Sequence, residues 1–290
     1  MKGAFLAVDW GTTNRRTYRI GADGTVEKTA RDDRGVLAMP PGGYEAEAGQ
    51  LREAFGDLPM LCAGMVGSNR GWAEAPYVPC PAALGDIARE AVWVEPGRTA
   101  ILPGVSRPGE RSDTMRGEEV QLLGAAASGA VPDGALLCQP GTHCKWARVE
   151  DGRLAGFVTA MTGEMFALLK EHSLLSAQLN GAVEAGRAFR EGVADSGGDL
   201  LARLFGVRAA GLLGQRADAD AASYTSGLMI GSDVRARLTE SGGAEVFVLA
   251  DAELGALYRT AIAALGGKAS LVDSQAAFAA GATAIWNELA

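Results

Sequence analysis

One segment of this chain occurs twice. Residues 4–30 read AFLAVDWGTTNRRTYRIGADGTVEKTA, and residues 135–160 read ALLCQPGTHCKWARVEDGRLAGFVTA, starting 131 positions apart (135 minus 4). Each copy has an apolar strand, a tight Gly-Thr turn, a second strand, an Asp-Gly turn and a third strand. A unit repeated at that distance predicts two related lobes, 1–134 and 135–290, with residues 271–290 free to pack back on the first. Two Gly-Thr turns facing each other across a central cleft would hold a polyphosphate from both sides. A single such turn is as readily a hairpin of no chemical consequence; two matched copies point to a nucleotide-using enzyme.

The chain has 290 residues, room for about two domains. Glycine, at 40 residues, is about twice its usual share, and many glycines fall at strand ends where turns need them. A formal charge of −8 with no dense Lys/Arg run argues against nucleic acid as a partner. No run of about 18 apolar residues predicts a membrane span. Asp9 interrupts the first apolar run too early for a signal-peptide core. Cys62, Cys80, Cys138 and Cys144 form no CxxC pair and read as reduced, buried thiols of a cytoplasmic protein. With only His143 and His172 and no GxSxG elbow, a multi-histidine metal site and a serine hydrolase both lack their residues.

Strands are expected at 5–9, 13–20, 25–30, 59–63, 91–95, 99–102 and 245–250. Helices are expected at 43–55, from about 116–118, at 163–180, 200–213 and 224–238, after Asp251 as N-cap, and at 271–289. Residues 72–82, with three prolines, read as an ordered loop. The pattern is mixed α/β rather than all-β or a helical bundle.

Asp9 directly precedes Trp10-Gly11-Thr12-Thr13. A carboxylate there can hold Mg2+ through water, because magnesium keeps much of its hydration. Gly11 lets the backbone approach phosphate oxygens, and the Thr12 and Thr13 hydroxyls can donate to them. Neither GxGxxG nor GxxxxGK[ST] is present. Gly141 and Thr142 take the same place in the second copy. His143 and Lys145 follow on one face of a strand, where Lys145 either neutralises a phosphate or a carboxylate or is a solvated strand lysine. Glu118 and Glu119 open a helix, where acids are favoured by the dipole whether or not they do chemistry. Arg116 offers a bidentate fork for a carboxylate, and Asn69 and Arg70 in a glycine-bounded loop are further candidates to bind one. Trp72 and Tyr77 either wall a pocket or anchor that loop.

The Asp-x-Gly-Thr-Thr start with a second Gly-Thr hairpin resembles the sugar kinase/hexokinase/actin/Hsp70 superfamily. The segments CAGMVGSNRGWAEAPYVPCPA (62–82), LPGVS…DTMRGEEVQLLG (102–124), QPGTHCKW (139–146), MTGEMFALLKEHS (161–173) and SYTSGLMIGSDV (223–234) narrow the resemblance to the 2-dehydro-3-deoxygalactonokinase (2-oxo-3-deoxygalactonate kinase) family. The resemblance implies two ribonuclease-H-like (actin/hexokinase-type) lobes, each a mixed sheet with helices, around a central cleft. It implies ATP and Mg2+ as cofactors and phosphorylation of the C6 hydroxyl of a 2-oxo-3-deoxy sugar acid. It also implies a base at the start of the helix linking the halves, for which Glu118 stands first, Glu119 second and Asp113 third. Glu164 corresponds to a glutamate that binds a sugar hydroxyl. The adenosine site falls in VFVLADAELGALY (246–258), where Asp251 stands in a turn that relatives often make glycine-rich, with residues 224–231 nearby. The expected partner is a small-molecule sugar acid, with no membrane or nucleic acid, and a homodimer is left open. A kinase of the gluconate epimer or of another sugar on the same fold is the alternative, and an ATP-driven conformational binder a remote one.

Overall fold

The computed structural model describes residues 3–289. Its backbone divides into two compact units. The first comprises residues 1–134, 148–157 and 274–290, and the second residues 135–147 and 158–273.

The first unit opens with a three-strand meander, β1 (Phe5–Trp10), β2 (Arg15–Ile20) and β3 (Val26–Asp32). Strands β1 and β2 pair antiparallel from Phe5↔Ile20 to Trp10↔Arg15. Helix α1 (Tyr44–Phe55) then lays Ala48, Leu51 and Phe55 on the sheet and returns the chain to β4 (Met60–Ala63). Short strands β5 (Tyr77–Pro79) and β6 (Ala82–Ala83) and helix α2 (Leu84–Arg89) follow, then β7 (Val92–Glu95), β8 (Thr99–Ile101), β9 (Gly104–Arg107) and β10 (Asp113–Met115). Helix α3 (Glu118–Ala127) closes this stretch. The main sheet has the order β3-β2-β1-β4-β8-β7, with β1, β4 and β8 parallel. A smaller sheet runs β10-β9-β5.

The second unit repeats the plan. Strands β11 (Leu136–Gln139), β12 (Cys144–Glu150) and β13 (Arg153–Ala160) form the meander. Helices α4 (Thr162–His172), α5 (Arg187–Asp195), α6 (Leu200–Leu212) and α7 (Asp218–Ser241) precede β14 (Val246–Leu249), α8 (Ala252–Ala264) and β15 (Ala269–Val272). The order β15-β14-β11-β12-β13 mirrors β8-β4-β1-β2-β3, and β11, β14 and β15 are parallel as their counterparts are. The tip of the β12–β13 turn belongs to the first unit, where Arg153 and Leu154 pair with Ala83 and Ala82. The duplicated sequence is thus a duplicated α/β topology of the ribonuclease-H-like type, as the resemblance implied.

Helix α9 (Ser274–Glu288) completes the first unit. Phe278 stacks on Tyr18 at 5.2 Å and Trp286 on Phe5 at 5.0 Å. Against α3 the backbones nearly touch: a Cβ on Gly124 would lie 2.0 Å from the Ala277 carbonyl oxygen, and one on Gly281 2.1 Å from that of Val120. Both positions must be glycine for the helices to meet this closely.

Several expected elements differ in extent. The helix expected over 163–180 ends at His172 and gives way to turns. The helix expected at 224–238 runs from Asp218 to Ser241. Residues 271 and 272 finish strand β15 rather than starting the last helix. The proline-rich stretch 72–82 contributes β5 and β6 at sheet edges, where a missing N–H is tolerated.

Candidate active site

Asp9, the penultimate residue of β1, pairs with Ala63, the last residue of β4. Three backbone segments converge beyond these strand ends. Gly64 has φ +97 and would place a Cβ 2.8 Å from the Trp10 carbonyl oxygen. Gly117 has φ +109, and its Cβ would lie 3.0 Å from Gly64 Cα and 3.9 Å from Asp9 Oδ1. Side chains at these two positions would push the strand ends and α3 apart, so the glycines are what bring the Asp9 carboxylate to the N-terminus of α3.

That terminus is where Glu118 and Glu119 divide. Glu119 is fully buried, and both of its oxygens accept the Gly117 N–H, at 2.7 and 2.8 Å. Burial, reinforced by Glu118, pushes its carboxyl up to about 8, against the Gly117 N–H and Arg116. It is an internal brace of the turn. Glu118 is only partly buried and accepts the Arg116 N–H at 3.1 Å. Asp113, the third carboxylate, sits on β10 and accepts the Thr114 N–H at 2.8 Å. Asp9 is pushed up to about 6, chiefly by burial; Glu118 adds to the rise, and Arg16 and Arg31 oppose it. Asp9 and Glu118 are thus electrostatically coupled carboxylates at one end of one sheet.

Arg116 is 9 % exposed. Its Nη2 donates to the Ala75 carbonyl at 2.8 Å, and the guanidinium lies 4.3 Å over the Tyr77 ring. Its Nε and Nη1 have no hydrogen-bond partner among the described residues. A buried cation with two idle donors is costly unless something accepts from them. Asn69 and Arg70 are exposed on the neighbouring loop. Trp72 stacks on Tyr44 at 5.8 Å, and Tyr44 meets Trp10 edge-on at 5.5 Å, so Trp72 anchors that loop to the core.

Thr12 and Thr13 are exposed at the first turn, which is closed by the Gly11 N–H donating to Asn14 O at 2.9 Å. Two groups hold it from behind. The Leu37 N–H donates to Thr12 O at 3.0 Å, and Gly35 packs so closely that a Cβ would be 2.4 Å from the same oxygen. Arg15, directly after the turn, is buried between Asp32 and Glu47, each at 2.7 Å, and lies 4.9 Å over the Trp10 ring. Arg34 also pairs with Glu47, and this hydrogen bond, followed by that of Arg15, holds the glutamate below its usual range.

The second unit presents the second turn the same way. The Glu164 N–H donates to Thr142 O at 2.9 Å, and a Cβ on Gly163 would lie 2.4 Å from Gly141 O. Thr142 and His143 are exposed, and His143 Nε2 lies 2.7 Å from Glu164 Oε2. Lys145 is buried, not a solvated strand lysine, and donates to Thr159 Oγ1 at 3.0 Å. Asp251 caps α8, accepting the Leu254 N–H at 2.9 Å. Below the turn, Asp233 accepts from Trp146 Nε1 and Thr162 Oγ1, each at 3.1 Å, tying β12 and the start of α4 to α7. Burial raises its pKa, and these donors oppose the rise. An apolar cavity of about 160 Å³ opens beside the turn, lined among others by Gly141, Gly163, Met229, Ile230, Leu257 and Tyr258.

The chain therefore brings Asp9, Gly11, Thr12, Thr13, Arg116, Glu118 and the 69–72 loop together in the first unit. Gly141, Thr142, Lys145, Glu164 and Asp251 all lie in the second. Sequence reasoning missed Asp233, Glu47 and Gly117. Gly117 carried a readable signal, since a glycine immediately before a helix start is where a positive φ is cheap.

Comparison with known proteins finds relatives along the whole length of the chain. A family model described as 2-keto-3-deoxy-galactonokinase matches residues 9–285. The probable 2-dehydro-3-deoxygalactonokinase of Rhizobium meliloti is 40 % identical over 302 residues, covering 98 % of each chain. The 2-dehydro-3-deoxygalactonokinase of Escherichia coli is 33 % identical over 299 residues, covering all of both. A Sinorhizobium meliloti crystal structure assigned to the same activity superposes with a TM-score of 0.89 at 38 % identity, covering 97 % of each chain.

Proposed function

This chain belongs to the 2-keto-3-deoxy-galactonokinase family, and from that premise we propose that it transfers the γ-phosphoryl group of ATP to the C6 hydroxyl of 2-dehydro-3-deoxy-D-galactonate, giving the 6-phosphate. The observation that carries the acidic substrate is Arg116, a buried guanidinium with two idle donors, two residues before Glu118. The substrate carboxylate supplies an acceptor for one of these idle donors, which forms guanidinium's two-bond fork together with the second N–H of Nη2. Asn69, Arg70 and Glu164 are assigned to the oxo and hydroxyl groups, with Trp72 holding the loop that carries the first two.

Glu118 is the group we assign to orient the attacking hydroxyl and take its proton. Glu119, buried and bonded to Gly117, is unsuited to meet a substrate. Phosphates are assigned to the two Gly-Thr turns, Gly11-Thr12-Thr13 and Gly141-Thr142, with Lys145 and the Asp251 cap in support, and the adenine to the apolar cavity beside Gly141. Mg2+ suits Asp9: a carboxylate pushed up by burial and by the neighbouring Glu118 charge is a site that a cation relieves, and magnesium needs only one or two protein carboxylates beside phosphate oxygens. When bound, the ion offsets charge on the β- and γ-phosphoryl oxygens.

The test is ADP release measured with purified protein. Addition of 2-dehydro-3-deoxy-D-galactonate is expected to drive magnesium-dependent ADP formation. No response to this acid, with turnover on its gluconate epimer or on a hexose instead, would overturn the substrate assignment. In the same assay Glu118→Gln is expected to lower kcat by about 10²–10⁴-fold with little change in melting temperature. Wild-type kcat in that variant would move the base to another residue.

A further inference from the structure

Helix α6 carries an apolar face that nothing in its own chain covers. Leu204 and Val207 pack inward with Leu175, Leu179 and Leu228. On the other side Leu201 is 78 % exposed, Phe205 63 %, Leu212 72 % and Leu213 69 %. Leu174, whose carbonyl accepts from Arg208 at 3.3 Å, extends the patch and is 56 % exposed. These five side chains expose on the order of 700 Å² of largely apolar surface, above a typical monomer's largest patch and near the roughly 800 Å² per partner of a stable complex.

The face has a shape as well as an area. Leu201, Phe205, Ala209 and Leu213 form one row at four-residue spacing, and Ala202, Gly206 and Ala210 form the next. A Cβ on Gly206 would meet nothing within 4 Å. A concavity of about 440 Å³ opens along the second row, lined by Gly198, Ala202 and Gly206 with Asp199 and Arg203 among its polar groups. One helix thus carries both a ridge and a groove. Four-spaced ridges pack into four-spaced grooves at a crossing of about −50°. A surface that contains its own complement fits another copy of itself.

We propose that α6 is the two-fold interface of a homodimer, with the axis passing between Phe205 and Gly206. In that register Phe205 of each chain lies over Gly206 of the other, Leu201 over Ala210, and Ala202 over Ala209. The two large residues nearest the axis, Phe205 and Leu201, thus each meet a small one, and the same register sets Arg203 opposite Arg208 and, towards the ends of the contact, Leu212 opposite Asp199. The inference stands independently of the phosphoryl-transfer reading, because its readout is mass rather than turnover.

Sedimentation velocity of the full chain across micromolar concentrations is expected to show a dimer. Phe205→Lys and Gly206→Leu are each expected to raise the dissociation constant at least about tenfold, as loss of a central anchor does. Both positions are open to solvent, so melting temperature and turnover per chain are expected to stay at wild-type values. Gly206→Cys, oxidised with diamide, is expected to give a disulfide-linked dimer that the unsubstituted chain does not form. A wild-type chain that stays monomeric throughout, or a dimer indifferent to both substitutions, would overturn the proposal. So would a Gly206→Cys dimer that fails to cross-link.

Discussion

Asp9→Asn is expected to lose most of its turnover and yet melt higher than the wild type at pH 8. The two effects share one cause. Folding moves the Asp9 carboxyl from its ordinary 3.8 to about 6, chiefly by burial. A carboxylate raised in this way favours the fold below its unfolded pKa, and that benefit is lost as pH rises through the folded value. Ionised Asp9 therefore costs stability, at most ~3 kcal/mol from the shift and less once solvent screening of a partly exposed group is allowed for. The neutral amide removes that cost. The gain in melting temperature should be absent near pH 4, grow through pH 6 and level off above it, reaching a few degrees for a chain of this size. Turnover moves the other way, because the amide cannot hold a cation. Differential scanning calorimetry across pH, beside kcat, checks both. Equal melting curves at pH 8, or an active variant, would sink the assignment. In the wild type kcat/KM should rise with pH through about 6, and added magnesium should shift that limb to lower pH by competing with the proton.

Arg116→Met is expected to lower kcat/KM for the sugar acid by about 10²–10³-fold, the ~2–5 kcal/mol lost when one partner of a buried charged pair is removed. The KM for ATP should hold. Arg116→Lys should recover little, since an ammonium keeps the charge and loses the fork. The free protein should not be destabilised in proportion. A buried guanidinium with Nε and Nη1 unpartnered carries a desolvation cost that methionine does not, which offsets the lost bond to Ala75. The discriminating control is the substrate with its carboxylate converted to an amide. Wild type and Arg116→Met should then differ little. An equally large gap on the amide would mean that Arg116 only shapes the loop.

Most of the architecture was legible in the sequence because the duplication is written in strand-turn-strand syntax. Strands β1, β2, β3 and helix α1 begin within two residues of where periodicity put them. What escaped is physically consistent. Helix α5 buries Ala188, Phe189, Gly192 and Val193, a face too small to stand out from a loop. Strand β15 is four residues long and runs into α9 with one residue between them. In the site, the types were readable and the geometry was not. Arg116 announces a fork, but its burial depends on Ala75 and Tyr77, some 40 positions earlier. Glu118 against Glu119 was decidable in principle. Glu119 shares its helix face with Leu122 and Leu123, three and four residues on, and that stripe points inward. The pinch of Gly64 and Gly117 at Asp9 joins three distant segments and has no local signature.

The pairing of α3 with α9 gives the molecule a timetable. Helix α3, whose first turn carries Glu118, packs along the final helix through Gly124 and Gly281. On the ribosome, residue 274 follows residue 134 by 140 positions (274 minus 134). At ~5–20 residues per second that is a wait on the order of ten seconds, during which α3 has an exposed flank and no partner. The first unit to emerge is therefore the last to close. Its carboxylates reach their final setting only when the end of the chain has been made.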